Sequence, residues 1–104
     1  MADANDNGKN PAVLRCRVDQ AKAGLEIAEA GFDKASAELS QAQADWDRVD
    51  HLRKTMPGAV SAKEYDQANY CLAAAKADAK KAQGEIDLAK ATLAEAEVLL
   101  GDAH

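Results

Sequence analysis

The chain has 104 residues, enough for one small domain, and a formal net charge of −5 with only four aromatic side chains. Its apolar fraction is 47%, much of it alanine, so there is little bulk to fill a globular core. The acidic balance argues against nucleic acid as a partner, because phosphate binding needs a basic surface. No stretch of about 18 apolar residues occurs, so no membrane insertion is expected.

The first ten residues are polar and contain no apolar core of a targeting signal. They read as a disordered lead-in over residues 1–10. Pro11 follows, at a position favoured for the first residue of a helix. From there to the Pro57-Gly58 turn signal, and again from the turn towards the end of the chain, no proline interrupts the sequence. The composition is rich in Ala, Glu, Lys, Leu and Gln and poor in β-branched residues, which fits long helices and not a sheet.

Each arm carries an apolar series at alternating spacings of three and four. The first runs Leu14, Val18, Ala21, Leu25, Ala28, Phe32, Ala35, Leu39, Ala42, Trp46 and Val49. The second runs Tyr65, Ala68, Leu72, Ala75, Ala79, Ala82, Ile86, Ala89, Leu93, Ala96 and Leu100. Such a heptad pattern predicts an antiparallel coiled coil with a left-handed supercoil. Folding the chain at Pro57 makes facing residue numbers sum to 114. Large then meets small in most layers, as in Ala42 with Leu72 and Ala28 with Ile86, which lets two backbones approach closely. The fold class expected is therefore all-α: a long two-helix coiled-coil hairpin, packing with other copies into a bundle.

The expected boundaries are helix 11–54, turn 55–60, helix 61–100 and a tail at 101–104. Each arm would be roughly 60 Å long. Ser61-Ala-Lys-Glu64 is a capping box, and Arg53 and Lys54 suit the C-terminal dipole of the first helix. Gly101 suits the end of the second. Lys22–Glu26, Lys34–Glu38 and Asp50–Lys54 have the spacing of surface ion pairs. Cys16 and Cys71 would lie roughly 40 Å apart along the rod, too far to bridge within one chain.

The outermost helix positions break the usual rule. They read Cys16, Ala23, Ala30, Ala37 and Ala44 in the first arm, and Tyr70, Ala77, Gly84, Ala91 and Val98 in the second. No charge appears among them. Ala23, Ala30, Ala37, Ala44, Ala77, Gly84 and Ala91 are read as a lateral packing face that admits a neighbouring helix. The alternative is that alanine simply favours an exposed helix.

Nothing in the sequence assembles a catalytic, metal or cofactor site. His51 and His104 have no partner at ligand spacing, and no nucleophile has a base in register. No enzyme activity, cofactor or metal is expected. The turn region, Trp46 to Ala68, concentrates the distinctive side chains instead.

That region resembles the hairpin tip of periplasmic adaptors, the membrane fusion proteins of the HlyD/RND efflux-pump type. The family tip carries Arg-x3-Leu-x6-Ser followed by a helix start of the Lys/Gln-Glu-Tyr-Asp kind. Arg48 and Leu52 keep the first spacing, and Ser61-Ala-Lys-Glu-Tyr-Asp-Gln-Ala resembles the second half. The gap from Leu52 to Ser61 is eight residues here, two longer than the family pattern. The resemblance covers roughly residues 11–100. It implies a hairpin that assembles side by side with others and contacts a TolC-like outer-membrane channel through Arg48, Leu52 and Ser61. It also implies an inner-membrane transporter as partner of the parent adaptor, and a periplasmic, inner-membrane-associated parent. The chain closes on Gly-Asp-Ala-His where the family continues into a strand, so a hairpin excised from an adaptor, or an encoded remnant, is expected. Two other readings stay open. A small secreted hairpin of the WXG type would place Trp-x-Gly at the turn, whereas Trp46 is followed by Asp47-Arg48. A generic structural coiled coil needs no defined channel partner.

Overall fold

A computed structural model describes residues 10–102. Among them are two long helices, a short 3-10 turn and no strand. Helix α1 spans Pro11–Thr55 and helix α2 spans Ala62–Asp102, with the 3-10 turn at Pro57–Ala59 between them. The chain is an all-α helical hairpin, as its periodicity predicts. The lead-in expected over residues 1–10 lies outside the described residues except for Asn10, as do the last two residues of the expected tail.

Local chemistry starts and stops the helices. Asn10 caps α1: its Oδ1 accepts from the Ala12 amide at 2.8 Å and its carbonyl accepts from the Leu14 amide at 3.0 Å. Pro11 then occupies the first helical position, where a missing N–H costs nothing. At the far end the Thr55 hydroxyl donates back to the His51 carbonyl at 2.8 Å, and the Met56 amide donates to the Leu52 carbonyl at 2.7 Å. Pro57 ends the run, because its ring cannot continue the ladder. Val60 is extended, and Ser61 caps α2. Gly101 does not end α2, which runs on to Asp102.

The structure divides into two compact units. Among the described residues, one pairs residues 10–30 with residues 84–102; the other comprises Gly31–Gln83 and contains the turn. In the first unit Leu14, Val18, Ala28, Ile86 and Ala96 are buried, and Ala21, Leu25, Ala89, Leu93 and Leu100 are half-buried. In the second, Ala35, Val49, Leu72, Ala75 and Ala82 are buried, and Phe32, Leu39, Ala42, Trp46, Tyr65, Ala68 and Ala79 are half-buried. Every position of both apolar series is thus shielded, and no polar or charged residue is buried among the described residues. The seam is thin. Alanine supplies about half of it, and an alanine contributes far less apolar area than a leucine.

Surface electrostatics are sparser than the spacing suggests. Of the three i,i+4 pairs expected, only Asp50–Lys54 closes, at 2.9 Å; Lys22–Glu26 and Lys34–Glu38 do not form ion pairs. Side-chain amides do similar work elsewhere, with Gln41 donating to Asp45 and Gln43 to Asp47 one turn on. Cys16 and Cys71 are free, exposed thiols.

Candidate functional site

The turn is built from both helix ends of the second unit. Trp46 and Tyr65 pack with ring centroids 6.5 Å apart at 48°. The Arg53 guanidinium sits 4.0 Å from the Tyr65 ring centroid, a cation–π contact that pins the end of α1 to the start of α2. The Trp46 Nε1 proton is buried and has no acceptor among the described residues, so the indole joins this cluster by packing and without a hydrogen bond. Arg53 lies in the last turn of α1, where its charge suits the helix dipole, and its guanidinium also covers an aromatic face.

Ser61 holds the second helix start. Its Oγ accepts from the Glu64 amide at 3.0 Å and donates to Glu64 Oε1 at 3.2 Å, while its carbonyl accepts from the Tyr65 amide at 3.1 Å. The glutamate therefore meets the serine hydroxyl, where a standard capping box has it on the serine amide. The Asp50 carboxylate bonds Lys54 and, by that hydrogen bond and by its charge, holds the ammonium above its ordinary pKa.

The three tip candidates differ in freedom. The side chain of Arg48 is 67% exposed and its only partner among the described residues is Asp45, at a loose 3.6 Å. Leu52 is half-buried, and Ser61 is exposed. Met56, Pro57, Gly58 and Ala59 are all exposed, so the turn presents apolar surface beside these polar groups. Arg48 also lines a shallow open groove of about 390 Å³, together with Glu38, Asp45, Glu64, Gln67 and Cys71. A featureless rod would lack such a groove. It holds carboxylates and amides but no histidine, and no group of three metal-ligating residues exists among the described residues.

Away from the turn, the ten outermost positions of the two helices are all exposed. The sequence reading missed a second apolar feature. Ile27, Leu88 and Leu99 lie off the seam series, yet all are exposed, at 74%, 69% and 42%. The signal was available, since each is a large apolar residue at a helix position where a charge is usual.

The model of one protein family, the RND MFP (membrane fusion protein) alpha-helical hairpin domain, matches residues 24–101. That span is three quarters of the chain and contains the whole turn. The chain belongs to this family. Neither the curated proteins nor the solved structures gave a match. Membership in the RND membrane fusion protein hairpin family points to an adaptor role in RND efflux systems. Such fusion proteins are periplasmic and non-enzymatic, and their domains generally bind outer-membrane channels and inner-membrane transporters and oligomerise. No helix among the described residues is long and apolar enough to cross a membrane.

Proposed function

We propose that this chain is the hairpin of a tripartite efflux adaptor, and that its tip meets an outer-membrane channel through Arg48, Leu52 and Ser61. The observation that carries the reading is the freedom of Arg48 beside an apolar turn. An exposed guanidinium held only by a 3.6 Å contact can turn its planar donors to carbonyls or carboxylates at a partner's helix ends. Leu52 and the exposed Met56 supply apolar contact at the same end. The uncharged outer stripe, Ala23, Ala30, Ala37 and Ala44 on α1 with Ala77, Gly84 and Ala91 on α2, serves side-by-side packing of hairpins. The parent adaptor would carry the hairpin from the inner membrane and its transporter.

The test is efflux by a full-length adaptor that carries this hairpin. Arg48→Ala and Ser61→Asp should each impair drug efflux while the isolated hairpin keeps its melting temperature, since aspartate caps as well as serine. Leu52→Ala should also impair efflux, but its half-buried side chain makes a parallel stability measurement necessary. Lys80→Ala should change neither. Normal pumping by the Arg48 and Ser61 variants would remove the contact assignment.

A further inference from the structure

Met56 is the only methionine among the described residues, and it stands where α1 gives way to the turn. Between Trp46 and Ala68 it is the only large apolar side chain that is exposed, at 59%. Val49 is buried there, and Leu52 and Val60 are half-buried. The turn does not use the Met56 side chain to hold its shape. The Met56 amide donates to the Leu52 carbonyl at 2.7 Å, its carbonyl accepts from the Ala59 amide at 2.8 Å, and its side chain makes no capping bond. The backbone fixes the turn, and the thioether is left to solvent.

We infer that Met56 is a redox-sensitive site, at which oxidation to the sulfoxide by a peroxide weakens the tip's hold on its partner and leaves the hairpin folded. This rests on the tip reading proposed above. In the reaction the thioether sulfur attacks one peroxide oxygen, the O–O bond breaks, and that oxygen stays on sulfur. Sulfur loses two electrons, and the other oxygen of hydrogen peroxide leaves as water after proton transfer. The product carries a polar acceptor where the thioether was apolar. In the free hairpin that acceptor points into water and costs nothing. Pressed against an apolar partner surface it has no donor, which weakens the contact roughly tenfold. A thiol-dependent reductase reverses the change, with two thiols becoming a disulfide and the oxygen leaving as water.

The first arm of the test uses the 104-residue chain with Cys16→Ser and Cys71→Ser, so that the exposed thiols do not consume the oxidant. Hydrogen peroxide should add one oxygen to Met56 at the rate of an unstructured methionine peptide, read by peptide mass spectrometry. The circular dichroism melt should not move. The second arm measures binding to the purified outer-membrane channel by a full-length adaptor that carries this hairpin with the same two serines. Oxidation should weaken binding roughly tenfold, and methionine sulfoxide reductase with a thiol reductant should restore it. Met56→Leu should bind like the untreated protein and resist peroxide. Met56→Gln, a polar side chain of similar length, should bind weakly with no oxidant present. A protected Met56, a lowered melting temperature, or equal losses in wild type and Met56→Leu would each overturn the inference. Full binding by the oxidised wild type would overturn it too, and would leave the tip reading standing. No binding by the untreated wild type would remove the tip reading, and this inference with it.

Discussion

Gly31 and Gly84 lie within long helices, are exposed, and have no positive φ. A Cβ built on either would meet nothing within 4 Å. In the isolated chain these glycines therefore only lower helix propensity. Replacing either by alanine should stabilise the hairpin by about 1 kcal/mol, since glycine has no packing role there to lose. For a domain of this size, a gain of about 1 kcal/mol raises the melting temperature by roughly 4–8 °C. The two sites share no contact partner, so the double variant should gain about 2 kcal/mol. Far-UV circular dichroism melts on dilute protein measure this, and Trp46, the sole tryptophan, gives an independent fluorescence report from the turn. A melting temperature that stays level or falls would refute the reasoning. It would mean that the added methyl meets something absent from the single chain, and Gly84 would then be a contact point between hairpins.

Three further outcomes follow from the packing and the caps. With the native cysteines replaced, Leu39→Cys with Ala75→Cys should oxidise to an intrachain disulfide, while Leu39→Cys with Ala68→Cys, displaced about 10 Å along the helix, should not, as gel mobility would show. Ser61→Ala should cost about 1 kcal/mol in urea unfolding and Ser61→Asp almost nothing, because only the first removes the acceptor for the Glu64 amide. The Lys54 pKa is raised in the fold by Asp50, so its stabilising contribution is complete below its ordinary value of 10.5 and is lost as pH rises through the higher folded value. Asp50→Asn should remove that alkaline loss in a melting-temperature titration.

The seam was legible because its signal is periodic and uninterrupted. All its positions, from Leu14 to Val49 and from Tyr65 to Leu100, are buried or half-buried, and the ten outermost positions are exposed. The Ser61 cap was legible for a local reason, since its partners lie three and four residues away. Three features were not. Arg53 lies over Tyr65 because the turn folds the two helix ends together, and no local spacing encodes a contact across twelve residues. Lys22–Glu26 and Lys34–Glu38 have the right spacing but stay open, as the small gain of an exposed pair allows. The Ile27–Leu88 flank becomes visible only when the two helices are laid together, because each residue alone is one exposed apolar side chain among many.

The central claim is that the turn is the end that meets the channel. A photo-reactive amino acid placed at Leu52, in a full-length adaptor carrying this hairpin, tests it against the purified outer-membrane channel. The same group at Lys80, an exposed position on α2 far along the sequence from the turn, is the comparison. The account predicts that irradiation links the channel to the Leu52 variant and leaves the Lys80 variant unlinked. Linkage from Lys80 with none from Leu52 would contradict it.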